Sequence, residues 1–154
     1  MRKPISTGRR QHGAALVETV VVTPLLLFLI LVTAEITNAF VEHNTLSKAV
    51  RNGARYLASN AIVGTTGVVN LTAPVIDATR NLVVFGSVTG GGTAVLSGLA
   101  TANVQVTDLG NDVVQVTASY AYTGLLGGTL PSFGIGPDIG TAFNLQASVS
   151  MRAL

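Results

Sequence analysis

The sequence predicts an α+β protein, in which one long amino-terminal helix crosses a membrane and packs on a small antiparallel β-sheet domain. Three observations predict this fold. No charged residue lies between Glu18 and Glu35. Apolar residues continue at helical spacing beyond that segment, and polar and apolar residues alternate in three stretches near the carboxyl terminus. A chain of 154 residues has room for one domain besides such a helix.

The positive charge of the chain is concentrated at its amino terminus. The formal net charge is +2, and all seven acidic residues follow the first 13 positions. Four of the nine basic residues precede them, namely Arg2, Lys3, Arg9 and Arg10. Residues 1–13 therefore predict a basic leader that stays in the cytoplasm, while later segments are exported. No basic patch with interleaved aromatic residues follows, so nucleic acid is not an expected partner.

The apolar stretch at residues 14–34 predicts a transmembrane helix with the lipid bilayer as its partner. A helix of about 21 residues is about 31 Å long, close to the thickness of a bilayer core. Pro24 lacks an N–H and frees the carbonyl of Val20, which predicts a helix kink. A proline that is merely tolerated in a membrane helix is the alternative.

Glu18 is the most informative residue of this stretch, because a carboxylate is costly within a membrane. One interpretation places it at the interface, where it stabilises the amino terminus of the helix. The other starts from its position five residues after Gly13. A glycine followed at this spacing by glutamate, at the start of an apolar run, is typical of a prepilin peptidase site. The chain would then be cut between Gly13 and Ala14.

Residues 13–58 resemble the TadE-like minor pilins, or pseudopilins, of tight-adherence pili in the type IV pilus family. The matching features are Gly13, Val17, Glu18, Pro24 followed by Leu25 to Leu27, Glu35, and Ala49 to Arg55. Two residues differ from related major pilins, since Ala14 stands in place of phenylalanine and Thr19 in place of tyrosine. A further domain after the helix favours a minor subunit. The resemblance implies other pilin subunits, a prepilin peptidase and an inner-membrane assembly platform as partners.

The resemblance also implies a role for Glu18 in assembly. Cleavage creates an ammonium group on Ala14, and assembly would bury this group among apolar helices. A buried charge is tolerated when it is paired with an opposite charge. Glu18 of one subunit is therefore expected to meet Ala14 of another and to set the axial register of the fibre.

Helical periodicity predicts that the first helix continues to the end of residues 14–60. Its apolar stripe consists of Leu46, Val50, Ala54 and Leu57. Arg51 and Arg55 lie on another face of this helix. They are candidate subunit contacts, with a simply solvated helix face as the alternative.

Residues 61–154 predict an exported α+β domain. A helix is expected from Ala73 to Val84, with Thr72 as its cap and Pro74 near its start. Alternation predicts three strands with inward-facing residues, namely Val104 and Val106; Val114, Val116, Ala118, Tyr120 and Tyr122; and Phe143, Leu145, Ala147, Val149 and Met151. The apolar stripe of the long helix is expected to cover one face of this antiparallel sheet.

Two loops of this domain are candidate functional sites, one for calcium and one for contacts with other molecules. Asp108 to Asp112 is rich in oxygen ligands, which suits calcium, but a hairpin turn explains the same residues and is preferred. The stretch from Gly124 to Gly140 predicts a long loop that exposes Phe133 and Ile135. Long loops are often contact surfaces, so this loop is a candidate surface for subunits or adhesion, with a merely mobile loop as the alternative.

Nothing in the sequence predicts an enzyme, a metal site or a cofactor. The chain has no cysteine, and His43 beside Glu42 is the only histidine after the leader. Two other functions remain open. Val32 to Ala34 also suits a signal peptidase, which would release residues 35–154 as a soluble binding or adhesion domain. An uncut single-pass anchor that supports a secretion apparatus is the third possibility.

Overall fold

The computed structural model describes residues 8–62, 68–134 and 136–154. The helices are α1 (Gly8–Asn60) and α2 (Ala73–Phe85), and a 3-10 turn follows at Thr101–Asn103. The strands are β1 (Val104–Gly110), β2 (Val113–Tyr122), β3 (Thr129–Leu130), β4 (Ile139–Gly140) and β5 (Phe143–Arg152). One long helix packs on a small antiparallel sheet, so the predicted α+β class is confirmed.

Helix α1 is longer at its amino end than the sequence predicts. It begins at Gly8 instead of Ala14, because no proline interrupts the backbone between Gly8 and Gly13. It is continuous through Pro24 and ends at Asn60. At this end the Asn60 side chain donates a hydrogen bond of 2.8 Å to the carbonyl of Tyr56.

The two halves of α1 have different surroundings. The apolar side chains from Leu16 to Ile30 are largely exposed. By contrast, the four stripe residues Leu46, Val50, Ala54 and Leu57 are fully buried. The predicted stripe is therefore confirmed as the part of α1 that covers the sheet.

Helix α2 lies where the sequence predicts it, with Pro74 in its first turn. Thr72 is the N-cap residue, as predicted, although its side chain makes no capping hydrogen bond. The Thr72 carbonyl instead accepts a 3.1 Å bond from the N–H of Ile76. The helix ends at Gly86, whose left-handed backbone (φ 71°) lets its N–H reach the Leu82 carbonyl at 3.0 Å.

Gly53 sets the approach of α2 to α1. A Cβ atom at this position would collide with Cγ2 of Val83, which is fully buried, and would touch Thr79. A glycine inside a helix costs about 1 kcal/mol relative to alanine. At Gly53 this cost is offset by the close packing of the two helices.

The main sheet has the order β1–β2–β5, with both pairs antiparallel. All five residues predicted to face inward from β2 are buried. In β5, Leu145 and Ala147 are buried as predicted. Phe143 is half-exposed because it lines an open cavity, where its ring lies 5.0 Å from the ring of Tyr122.

The predicted hairpin turn joins β1 to β2. Asn111 and Asp112 both have positive φ values (52° and 61°), as the two central residues of a type I′ hairpin turn require. Oδ1 of Asp108 accepts a 2.8 Å hydrogen bond from the N–H of Gly110. Oδ2 of Asp112 forms an ion pair with Nη2 of Arg152 at 3.7 Å. The oxygen-rich sequence thus forms a turn.

The predicted loop from Gly124 to Gly140 is only partly a loop. Strands β3 and β4 pair within it and form a short second hairpin. The prediction missed this hairpin because strands of two residues leave no alternation in the sequence. Phe133 is exposed as predicted, and Ile135 lies outside the described residues.

Candidate functional site

The amino-terminal part of α1 presents the predicted cleavage and assembly residues. Gly13 and Glu18 are exposed on the helix, and the Ala14 side chain lies outside the description. None of the side chains that the structure describes forms a hydrogen bond or ion pair with Glu18. Its carboxylate is therefore accessible to a group from another molecule. Cleavage and register setting at these residues stay predictions.

The remaining predicted contact residues lie in separate places. Arg51 and Arg55 are exposed on the carboxyl-terminal half of α1, and Phe133 lies on the second hairpin. Residues of this hairpin share a cavity with Leu25 and Phe28 of α1. Leu25 and Arg51 are separated by roughly 39 Å along the helix. The structure therefore does not bring Phe133 and the two arginines into one site.

A group of polar residues between α1 and β2, which the sequence did not predict, forms the helix–sheet polar cluster. Its members are Glu35, Asn38, Glu42, Tyr120 and Tyr122. The Tyr120 hydroxyl donates to Oε2 of Glu42 at 2.5 Å. The Asn38 amide donates to Oε1 of Glu42 at 3.2 Å and to the Tyr122 hydroxyl at 3.1 Å. The cluster thus ties the helix to the second strand by side-chain bonds.

Glu35 extends this cluster to the segment after β2. Its side chain is only 5 % exposed, and its two carboxylate oxygens accept the N–H of Leu125 at 3.2 and 3.1 Å. Gly124 allows this approach, because a Cβ atom there would collide with the Glu35 carboxylate. Gly124 also has a positive φ of 72°, which favours glycine. Glu35 therefore anchors the chain after β2 to α1.

Both tyrosines of the cluster are stabilised in the protonated form. Burial raises the pKa of Tyr120, and the hydrogen bond to Glu42 and its negative charge raise it further. Burial also raises the pKa of Tyr122, although the Asn38 bond opposes this change. At neutral pH both hydroxyls carry their protons and act as hydrogen-bond donors.

The spacing of the cluster residues in the sequence shows which of them share a face of α1 or of β2. Glu35, Asn38 and Glu42 follow one another at spacings of three and four, so they share one face of α1. Tyr120 and Tyr122 share one face of β2.

Within the described parts of the chain, no group of three or more His, Cys, Asp or Glu side chains could hold a metal ion.

Helix α1 is the one helix of the described residues that is long and apolar enough to cross a membrane. Most of this helix is similar in sequence to a known protein family. Residues 13–55 match the family described as TadE-like protein. This TadE-like segment runs from Gly13 to Arg55 and confirms the resemblance over that range. This similarity suggests a component of a tight-adherence pilus system, and the long apolar helix fits membrane anchoring.

The TadE-like segment covers less than a third of the chain. It includes Gly53 and the helix residues of the polar cluster, but neither α2 nor the sheet. No curated protein and no solved structure is significantly similar to the chain.

Proposed function

We propose that this protein is a minor pilin, or pseudopilin, of a tight-adherence type IV pilus. One observation carries the proposal: the TadE-like segment begins with the Gly13-to-Glu18 pattern and continues as an exposed apolar helix. The chain is cut between Gly13 and Ala14 by a prepilin peptidase. Its role is structural and not catalytic, in adhesion or in pilus biogenesis.

The subunit has two successive environments in this proposal. Before assembly, residues 15–34 lie in the inner membrane, with the amino terminus in the cytoplasm and the sheet domain exported. An assembly platform then transfers the subunit to the fibre at the cell surface, where helices of other pilin subunits replace lipid. The apolar side chains from Leu16 to Ile30, which are largely exposed on α1, suit both environments.

Glu18 gives the assembled helices their register. The new ammonium group of Ala14 moves from the membrane interface into the apolar bundle of helices. Removing one partner of a buried ion pair costs about 3–5 kcal/mol. The exposed Glu18 carboxylate of a neighbouring subunit supplies the partner, and only one axial offset brings the two charges together.

The structure favours this function over release by signal peptidase. Release would require a cut after Ala34, which would make Glu35, a residue buried against Leu125, the new amino terminus. Residues 35–154 released in this way would also lose the helical turns that precede Glu35.

Glu18→Ala tests the assembly role. We expect normal membrane insertion and at least a tenfold loss of the subunit from sheared fibres, since about 1.4 kcal/mol corresponds to a factor of ten. Immunoblots of sheared fibres and of membranes measure both quantities. Thr19→Ala is the matched control, because its exposed hydroxyl donates only to the Ala15 carbonyl of the same helix among the described residues. Normal incorporation of the Glu18 variant would overturn the register role.

A further inference from the structure

The chain between β2 and β5 lies beside the predicted membrane span, not above it. This hairpin segment comprises residues 123–134 and 136–142. On one side of α1, Leu125 shares a cleft with Leu26 and Ile30. On the other, Pro137 and Ile139 share a cavity of about 280 Å³ with Leu25 and Phe28. The segment thus extends along α1 toward its amino terminus.

The depth of this contact follows from the geometry of the helix. Leu25 lies ten residues after Ala15, which is about 15 Å along α1. A bilayer core is about 30 Å thick. If the core begins near Ala15, Leu25 lies close to its middle, and the hairpin segment lies at hydrocarbon depth.

The surface of the hairpin segment suits such an environment. It exposes four large apolar side chains, namely Leu125, Leu126, Phe133 and Ile139, with 40 to 65 % of each accessible. It contains no lysine or arginine, and Asp138 is its only charged residue. Exposed apolar surface costs about 25 cal/mol per Å² in water, and this cost disappears in lipid.

Backbone polar groups at hydrocarbon depth need partners inside the protein. Strands β3 and β4 pair with each other, and the N–H of Thr141 donates to the Gly128 carbonyl at 2.8 Å. Two carboxylates accept further backbone N–H groups. Asp138 accepts the N–H of Ser132 at 3.0 Å, and Glu35 accepts that of Leu125.

We propose that the hairpin segment inserts into the bilayer leaflet on the side of the sheet domain, with its apolar side chains against lipid acyl chains. Leu125, Leu126 and Phe133 face outward, while Glu35 and Asp138 hold the N–H groups of Leu125 and Ser132. The protein is thus held in the membrane by two elements, the helix and a re-entrant hairpin. This anchoring applies to the unassembled protein and does not depend on its role in a fibre.

Tryptophan fluorescence tests this insertion. The chain contains no tryptophan, so Phe133→Trp introduces a single probe. The full-length protein is placed in lipid nanodiscs, one copy per disc, made of phosphatidylcholine that is brominated at mid-chain. We expect the probe at position 133 to lose most of its fluorescence relative to unbrominated discs and to be protected from iodide in the water. Leu126→Trp is a second probe on the same segment, in case one variant folds poorly.

Leu109→Trp is the matched control. Leu109 is exposed near the β1–β2 turn. This turn lies close to Val69, which pairs with Ile62 just after the carboxyl-terminal end of α1. This control probe should be quenched by iodide and not by brominated lipid. If the two hairpin probes behave like the control probe, the insertion is overturned. It is also overturned if they become protected only when several copies share a disc, because a second copy then covers the surface.

Discussion

The two halves of α1 have similar apolar side chains but opposite surroundings. Leu29 in the amino-terminal half is 52 % exposed, whereas Leu57 in the other half is fully buried. The difference comes from what the rest of the chain supplies. The sheet and α2 cover only the carboxyl-terminal half, so the apolar surface of the other half is left for lipid or for other subunits.

The two glutamates at the borders of the apolar run show the same contrast. Glu35 is buried and accepts the N–H of Leu125, which makes it a structural residue of this chain. Glu18 is exposed and has no bonding partner among the described residues. They are separated by about 26 Å along the helix. An exposed charge at the edge of an apolar helix is accessible to a group from another molecule, as the proposed register role requires.

The largest effect on stability is expected from a leucine-to-alanine substitution in the carboxyl-terminal half of α1. The same substitution in the amino-terminal half serves as the comparison. Leu57→Ala should lower the free energy of unfolding by about 2–5 kcal/mol, because it leaves a cavity in the core. Leu29→Ala should change it by less than about 0.5 kcal/mol. Thermal unfolding of the full chain in detergent, followed by the near-ultraviolet dichroism of its tyrosines, measures both. Equal effects would contradict the division of α1 into two halves.

A smaller effect is expected at the contact between α1 and α2. Gly53→Ala should destabilise the protein by about 1–2 kcal/mol, because overpacking costs about 1–3 kcal/mol and exceeds the gain in helix propensity. The neighbouring Asn52→Ala, on the exposed face, should instead stabilise it by a few tenths of a kcal/mol. Urea unfolding in detergent compares the two. A more stable Gly53 variant would show that the close approach is unimportant.

Alkaline pH should produce the smallest effect, through the helix–sheet polar cluster. The unfolded chain releases its tyrosine protons near pH 10, whereas the folded chain retains those of Tyr120 and Tyr122. The folded state then binds more protons, so its stability should fall as the pH rises above about 10. Urea midpoints measured from about pH 8 to about pH 11 follow this decrease. Tyr120→Phe should flatten it.

The elements with a strong periodic pattern could be predicted from the sequence. The stripe from Leu46 to Leu57 and the alternation in β2 each identify a buried face, because burial of one face requires that period. Helix α2 is marked by Pro74 at its start. The predicted start of α1 lies at the peptidase site expected at Gly13, but nothing in the sequence there stops a helix, and α1 begins at Gly8.

The polar cluster and the second hairpin could not be predicted in the same way. Glu35, Asn38 and Glu42 lie on one helix face, but their partners are about 80 to 90 residues away in sequence, and one sequence does not indicate which residues meet. Strands β3 and β4 are too short to show a period. Glu35 is recognisable in the sequence as a family feature, whereas its buried contact with Leu125 is visible only in three dimensions.

The position of the amino terminus of the mature protein decides whether the chain is processed as a prepilin. Intact mass and amino-terminal sequencing of the protein from native membranes, with and without the prepilin peptidase, give its position. We predict a chain that begins at Ala14 when the peptidase is present and an uncut chain when it is absent. A chain that begins at Glu35, or one that stays uncut in both samples, would contradict it.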